Sequence, residues 1–227
     1  MGASAFSDAL KHLFGVKDVA GKYTNLEFDD AAIESGEYKR HLGGGSETWD
    51  SRGLFQLDLL RSRGLDPTSK LLDVGCEPLR AGLHFIRYLN AGNYYGFDYN
   101  KSFVAAGQRL IAEHDLTGKQ PSIVALADFD LGGVERAFDY AIAFSVLNHC
   151  NEAQRQLFFA HIGRCLAPGA KLVISHARWL KEADLARARL VVRHCFETSE
   201  LDLSRYGWPL SEQRTVCPIY ELERLPS

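Results

Sequence analysis

The chain has 227 residues, which suits one domain with additional segments and is too short for three domains. Hydrophobic residues make up 46% of it and charged residues 24%, a composition that excludes a disordered or fibrous protein. The net charge is −3, from 26 Lys and Arg against 29 Asp and Glu, so no overall positive field favours nucleic acid.

The five cysteines are widely spaced and include no Cys-x-x-Cys pair, which argues against a zinc knuckle or a dithiol redox site. The histidines do not cluster at metal-ligand spacing, so we expect no metal site. The first residues lack the pattern of a signal peptide, and no apolar stretch approaches the ~20 residues of a membrane span. We therefore expect a cytoplasmic protein with reduced thiols.

Residues 1–45 have a broken helical pattern and are predicted to form an N-terminal helical cap. Apolar residues at helical spacing indicate a first helix around Phe6–Phe14. Asp29 and Asp30 are expected to cap a second helix that continues through Tyr38. Three consecutive glycines then end the cap and provide a natural hinge.

The remainder of the chain, residues 46–227, is predicted to form an α/β domain. After an opening helix that ends near Gly64, short apolar runs predict strands at 71–74, 94–97, 123–126, 138–144 and 171–175. The segments between them carry helical spacing at 79–89, 103–114 and 152–165. Near-continuous apolar strands that alternate with helices are typical of a parallel sheet covered on both faces.

The last fifty residues are less regular. We expect a helical insert over residues 178–198, with Ala183–Cys195 as its helix. Its basic residues form either a solvated helix face or an anchor for an acidic substrate. Two strand-like pieces, Arg214–Val216 and Ile219–Leu225, are predicted to close the domain as an antiparallel pair.

In open parallel sheets, ligands bind beyond the carboxyl ends of the strands, so the residues there are the candidates for a site. Gly75 begins the turn after the first strand, where backbone must approach a ligand closely. Asp98 ends the second strand, and a carboxylate there can accept both hydroxyls of a ribose. Asp128 ends the third strand and could accept from an adenine amino group, with Phe129 packed on the ring.

Five segments, in the right order and spacing, resemble the motifs of class I S-adenosylmethionine-dependent methyltransferases. They are Leu71–Cys76, Tyr95–Asp98, Ala127–Phe129, Phe138–His149 and Leu166–Leu172. The resemblance covers roughly residues 54–176. It implies a Rossmann-like, doubly wound, seven-stranded sheet whose last strand is antiparallel.

The resemblance also implies S-adenosylmethionine as the cofactor. Asp73, Gly75 and Cys76 would line its methionine end. Asp98 would hold the ribose, and Asp128 with Phe129 the adenine. Two further candidates for the cofactor site are Glu77, in the first turn, and Phe144, at the end of the fourth strand.

Glu77 departs from the family pattern, which has glycine at this position. A non-glycine residue in a left-handed conformation costs about 1–3 kcal/mol. A carboxylate ~4 Å from the cofactor's own carboxylate would add roughly 4 kcal/mol. That charge cost vanishes if Glu77 pairs with the cofactor's ammonium. It shrinks if Glu77 bonds Arg80 or points at the helix N-terminus.

Methyl transfer from a sulfonium is an in-line displacement, so the protein mainly supplies alignment and excludes water. A hydroxyl acceptor must also lose its proton. His149, just past the fourth strand, is the first candidate for the base, and His176, at the end of the fifth strand, is the second. A purely structural role in the loop is the alternative for His149.

Our first functional hypothesis is a methyltransferase that acts on a small molecule, at oxygen, without nucleic acid or membrane as a partner. The alternative is a protein of the same fold that binds a ligand or catalyses a reaction other than methyl transfer, because Glu77 breaks the glycine motif. An NAD-dependent oxidoreductase is less favoured, since Gly75–Arg80 lacks the three-glycine spacing. The sequence does not fix the oligomeric state.

Overall fold

The structure is a computed structural model of the chain. It describes residues 27–42, 46–126, 129, 131, 134, 137–209, 213 and 216–226. The predicted helix around Phe6–Phe14 and the glycine hinge at 43–45 lie outside these residues. The boundary between cap and domain therefore stays a prediction.

Seven strands form one sheet in the order β3-β2-β1-β4-β5-β7-β6. Their bounds are Leu71–Val74 (β1), Tyr94–Asp98 (β2), Ser122–Ala125 (β3), Phe138–Ala143 (β4), Leu166–Ile174 (β5), Leu190–Phe196 (β6) and Ile219–Arg224 (β7). Strands β1 to β5 pair in parallel, whereas β7 runs antiparallel to both β5 and β6. The predicted Rossmann-like sheet with an antiparallel last strand is confirmed.

The helices of the described chain are Asp30–Glu34 (α1), Tyr38–His41 (α2), Trp49–Ser62 (α3), Gly82–Tyr88 (α4), Lys101–Glu113 (α5), Glu152–Cys165 (α6) and Glu182–Ala188 (α7). Asp29 caps α1, accepting a hydrogen bond from the Ala32 amide at 2.8 Å. Tyr38 begins α2 rather than ending the first of these helices, because α1 stops at Glu34. None of the helices among these residues has the length and apolar character needed to cross a membrane.

The sheet separates two apolar cores. Leu71 and Leu72 are adjacent and fully buried, yet they belong to different core clusters. Successive side chains of a strand point to opposite faces, so one faces Phe85 of α4 and the other faces Phe158 of α6. Burial on both faces explains why the strands are almost continuously apolar.

The prediction of a helix through Cys195 is wrong. Helix α7 ends at Ala188, and Arg189 then turns the chain with a φ of 55°. Residues Leu190–Phe196 form β6 at the sheet edge, and this strand pairs antiparallel with β7. Of the strand predicted at Arg214–Val216, residues 214 and 215 lie outside the described residues. The β-branched pair Val191-Val192 favours a strand, and one exposed face of an edge strand allows the mixed polarity that suggested a helix.

Candidate active site

The turn after β1 requires glycine at position 75 for two reasons. Gly75 has a φ of +69°, and a Cβ built on it would lie 2.4 Å from Cγ2 of Val146. The amides of Gly75 and Cys76 both donate to the Phe97 carbonyl, at 2.8 and 3.0 Å, which fixes the turn to the end of β2. The turn is therefore held against both neighbouring strand ends, those of β2 and β4.

Asp98 ends β2 and supports the same turn. Its Oδ2 accepts a hydrogen bond from the Glu77 amide at 3.0 Å, and its Oδ1 accepts from the Asn100 amide at 2.8 Å. Burial raises the pKa of Asp98 to about 6, although these backbone hydrogen bonds act in the opposite direction. Each carboxylate oxygen can accept a further hydrogen bond, so the two hydroxyls of a ribose fit this group.

Tyr99 follows Asp98 directly and is 53% exposed, which is unusual for a large aromatic side chain. Its ring is therefore open to contact by a ligand bound next to Asp98. The sequence analysis missed this residue. An aromatic residue immediately after a strand-end acid is the signal that could have identified it.

Asp73 and Cys76 lie beneath the turn rather than on its surface. The Tyr94 hydroxyl donates to Oδ2 of Asp73 at 2.7 Å. Burial raises the pKa of Asp73 to about 7, and it raises the pKa of the Cys76 thiol well above its ordinary value. Cys76 is accordingly an uncharged, buried residue, and Asp73 is a buried carboxyl held by Tyr94, so the contact of both with the cofactor stays a prediction.

Glu77 adopts a left-handed conformation, with a φ of 50°. Its carboxylate forms an ion pair with the Arg80 guanidinium, in which Nε lies 3.0 Å from Oε2. Among the arrangements considered from the sequence, the structure therefore has the pair with Arg80. Arg80 also lies over the Trp49 ring of α3, 4.9 Å from its centroid, so the turn is tied to that helix.

A second left-handed residue in this turn, Leu79, was not anticipated. Its φ is 60°, and its side chain is fully buried in the core beside Gly82 and Gly107. Burial of a leucine side chain stabilises the fold by about 1.5–3 kcal/mol, which is comparable with the cost of the left-handed backbone. The turn thus keeps its tight course with two side chains in left-handed positions.

Phe144 follows β4 and belongs to an aromatic cluster. Its ring centroid lies 5.9 Å from that of Phe55, 6.3 Å from that of Trp208 and 6.3 Å from that of His176. Arg52 lies over the Trp208 ring at 4.7 Å. The end of β4 therefore carries an aromatic cluster next to the end of β5, in which Phe55 and Trp208 are buried and Phe144 is partly buried.

The two candidate histidines lie near each other. His149 ends the short 3-10 helix Leu147–His149, and its Nε2 is 3.2 Å from Nδ2 of Asn148. His176 follows β5, with its Nδ1 2.9 Å from Oγ of Ser175. Burial and, as a smaller effect, the nearby His149 lower the pKa of His176 to about 4. Both side chains lie at the same edge of the sheet as Gly75 and Asp98.

Two predicted adenine contacts have different outcomes. Asp128 lies outside the described residues. Phe129 packs its ring against Phe97 at 6.3 Å and Phe158 at 5.4 Å, and its carbonyl accepts a hydrogen bond from His161 Nδ1 at 2.8 Å. The ring is partly buried between β2 and α6, so its contact with a base stays a prediction.

The basic side chains after β5 mostly have partners within the chain. Lys181 pairs with Glu152 at 2.7 Å, and Arg193 pairs with Glu223 at 2.8 Å. These pairs favour the solvated-face interpretation over an anchor for an acidic substrate. Among the residues that the structure describes, no group of three or more His, Cys, Asp or Glu side chains could hold a metal ion.

Comparison with known proteins identifies the domain. Residues 72–172 match the family model of a methyltransferase domain. The chain carries an S-adenosylmethionine-dependent methyltransferase domain. This confirms the resemblance found in the motifs, and S-adenosylmethionine is the cofactor of this class.

Solved structures with the same fold include two methyltransferases and a cyclase. Magnesium protoporphyrin IX methyltransferase from Synechocystis PCC 6803, with bound S-adenosylmethionine, is 20% identical over 88% of this chain and 100% of its own, with a TM-score of 0.57. A TehB-like methyltransferase from Corynebacterium glutamicum is 16% identical over 87% and 100%, with a TM-score of 0.57. The [4+2]-cyclase SpnF is 20% identical over 76% and 81%, with a TM-score of 0.56. At identities this low, the similarity shows that the methyltransferase domain has the same fold as these three proteins and no more.

Proposed function

We propose that this methyltransferase-domain protein transfers a methyl group from S-adenosylmethionine to an oxygen atom of a small molecule. The observation that carries the proposal is the convergence of Asp98, the Gly75 turn and the two histidines at the carboxyl ends of four neighbouring strands. The net charge of −3 favours a small molecule over nucleic acid. We also propose a cytoplasmic location, because all five cysteines are unpaired.

The residues of the turn are suited to hold the cofactor. Asp98 has lone pairs for both ribose hydroxyls, and Tyr99 offers an exposed ring beside it. The positive φ of Gly75 leaves backbone rather than a side chain at the closest approach. The ion pair between Glu77 and Arg80 compensates the extra negative charge, so a cofactor carboxylate would not meet an unpaired acid.

The acceptor side is apolar with a few polar groups. When bound, S-adenosylmethionine supplies an activated methyl group on a sulfonium. Phe144, which is only partly buried and packs against the buried Trp208, provides an aromatic ring that excludes water and orients an organic acceptor. We assign removal of the proton of the acceptor hydroxyl to His149, the first candidate for the base.

Replacing Asp98 by Ala tests the cofactor site. We expect the thermal stabilisation by S-adenosylhomocysteine to fall strongly, because the ribose loses its acceptor and the Glu77 amide loses its partner. Asp139→Ala is the matched control: Asp139 also accepts a backbone hydrogen bond, from Lys70 at 2.9 Å, but lies at the amino end of β4. An undiminished thermal shift in the Asp98 variant, measured by calorimetry or dye binding, would contradict the proposal.

A second candidate is a reaction without methyl transfer. Similarity to a [4+2]-cyclase and the two left-handed side chains in the cofactor turn favour it. The test incubates the purified protein and methyl-labelled S-adenosylmethionine with a metabolite extract. A labelled product supports methyl transfer, whereas a changed metabolite without label supports the second candidate.

A further inference from the structure

Ser145, Ser175 and His176 form a hydrogen-bonded group where β4 and β5 end. The Ser145 amide donates to Oγ of Ser175 at 2.8 Å, and this Oγ lies 2.9 Å from Nδ1 of His176. The Ser145 hydroxyl is a longer neighbour of the same nitrogen, at 3.4 Å. Ser145 and His176 both have left-handed backbones, with φ values of 60° and 55°. Such strain concentrates at functional sites.

The protons in this group can be assigned from its contacts. The Ser175 side chain is fully buried, and its oxygen already accepts the Ser145 amide. Its own hydroxyl proton needs an acceptor, which Nδ1 of His176 provides at 2.9 Å. A ring nitrogen that accepts a hydrogen bond carries no proton, so the neutral imidazole has its proton on Nε2.

The imidazole is also held in its neutral form. Burial lowers the pKa of His176, and the adjacent His149 opposes a second positive charge at this position. The lone pair of Nδ1 is engaged by Ser175, and Nε2 already carries a proton. His176 therefore lacks a free lone pair with which to remove a proton from a substrate.

We propose that His176 donates a hydrogen bond from Nε2–H to an oxygen atom of the acceptor, and that Ser175 is the positioning residue that fixes this tautomer. The proposal replaces the base role that the place of His176 in the sequence suggested. The Phe144 ring beside His176 favours an oxygen attached to a flat, unsaturated ring, such as a phenol. The nature of this acceptor rests on the proposed function, but the tautomer does not.

Nitrogen-15 NMR of the full chain, saturated with S-adenosylhomocysteine, measures the tautomer directly. His176→Gln identifies the resonances of His176 by their loss. We expect a protonated Nε2 and an unprotonated Nδ1 throughout pH 6 to 9. A proton on Nδ1, or titration of the ring within this range, would overturn the proposal.

Serine variants test which hydroxyl sets the tautomer. We expect Ser145→Ala to keep the proton on Nε2, because the closer hydroxyl of Ser175 remains. The double variant Ser145→Ala/Ser175→Ala should lose the single fixed tautomer. Loss in Ser145→Ala alone, or retention in a folded double variant, contradicts the role of Ser175. If the double variant does not fold, the tautomer assignment is judged on the spectra of the wild type and of Ser145→Ala.

The donor role is tested with 4-nitrophenol, whose absorbance reports its ionisation. We expect the wild-type complex with S-adenosylhomocysteine to bind it, and His176→Leu to bind it at least tenfold more weakly. His176→Gln, which restores an N–H donor, should recover part of the affinity. Absence of binding to wild type, or equal binding to the Leu variant, overturns the donor role. If Asp98→Ala leaves the thermal shift undiminished while the spectra show the expected tautomer, the proposed function is refuted and the tautomer assignment stands.

Discussion

Gly75 combines a backbone and a packing requirement, and the two can be separated by mutation. Gly75→Ala introduces both a left-handed alanine and a contact with Val146. Gly169→Ala introduces only a left-handed alanine, because Gly169 has a φ of +79° and no atom lies within 4 Å of the added Cβ. The effect of the first substitution should therefore be the larger.

We expect Gly75→Ala to lower the free energy of unfolding by about 1–3 kcal/mol more than Gly169→Ala, from overpacking alone. Adding Val146→Ala to Gly75→Ala should recover part of the difference by removing the close contact. Urea titrations of the four proteins measure both effects. Equal losses in the two single variants would show that Val146 does not restrict this position.

Asp73 makes stability depend on pH. Its pKa is raised from an ordinary 3.8 in the unfolded chain to about 7 in the fold, mainly by burial. Between these values the unfolded chain releases a proton that the folded chain keeps, so rising pH favours unfolding. Asp73→Asn removes this effect while leaving an oxygen to accept the Tyr94 hydroxyl.

We therefore expect the stability of Asp73→Asn, relative to wild type, to increase as the pH rises from 4 to 8. Asp98, whose pKa is raised to about 6, acts in the same direction but is present in both proteins and cancels in the difference. Chemical denaturation at several pH values measures this difference. A constant difference over the range would mean that Asp73 titrates normally.

The sequence predicted the residues of the cofactor turn but not their conformations. The positions of Gly75 after β1 and of Asp98 at the end of β2 were predicted correctly, because the turn and the strand end follow from a local pattern of apolar residues, glycine and acid. The partner of Glu77 was one of several possibilities, since a side chain's partner depends on tertiary packing. The tautomer of His176 depends on the Ser175 hydroxyl, which also accepts the Ser145 amide from the neighbouring strand end, and no short sequence pattern corresponds to that contact.

Among the elements, helix α3 approaches the turn after β1 at Gly53. A Cβ on Gly53 would lie 2.1 Å from the Arg80 carbonyl oxygen, a backbone atom that cannot rotate away. The helix therefore contacts the turn at two places. Gly53 packs against the Arg80 backbone, and the Trp49 ring, at the N-terminal end of the helix, packs against the Arg80 guanidinium. The position of α3 and the shape of the turn depend on each other.

Gly53→Ala should consequently destabilise the protein, although alanine is preferred over glycine in a helix by about 1 kcal/mol. We also expect weaker binding of S-adenosylhomocysteine, since the turn must move. Gly118→Ala, with no atom within 4 Å of the new Cβ, is the control. Calorimetry on both variants measures stability and affinity, and a stabilised Gly53 variant would contradict this packing.

The strands differ in how well the sequence predicted them. Strand β1 was located from its apolar run because both of its faces are buried. Strand β6 was read as helix, since as an edge strand it buries Leu190 and Phe196 but leaves Val192 43% exposed. Which segment fills an edge is decided by pairing with β7, and that pairing joins residues far apart in the chain.

At the scale of the whole molecule, an ion-pair cluster stabilises the sheet between β5 and β7, and it includes none of the candidate site residues. Glu221 of β7 is almost completely buried and accepts two hydrogen bonds from the Arg63 guanidinium, one of them at 3.2 Å. Lys171, at the start of the parallel stretch of β5, lies 3.9 Å from the same carboxylate. The cluster joins α3, β5 and β7.

Glu221→Gln should lower the free energy of unfolding by about 1–3 kcal/mol, because Arg63, which is partly exposed, loses its countercharge. The affinity of the folded protein for S-adenosylhomocysteine should not change. Glu223→Gln on the same strand breaks an exposed pair with Arg193 and should cost about 1 kcal/mol or less. Melting curves and binding titrations test both expectations, and a marked loss of affinity in the Glu221 variant would contradict the separation.

The ion pair between Glu77 and Arg80 also bears on how this chain can diverge. An acid at position 77 is compatible with a negatively charged cofactor group only while the cation three residues later remains. Replacing the arginine first would leave a bare carboxylate, whereas replacing the glutamate first would not. In related sequences we therefore expect an acid at position 77 only where position 80 carries a basic residue. The acid should be acquired after the basic residue and lost before it.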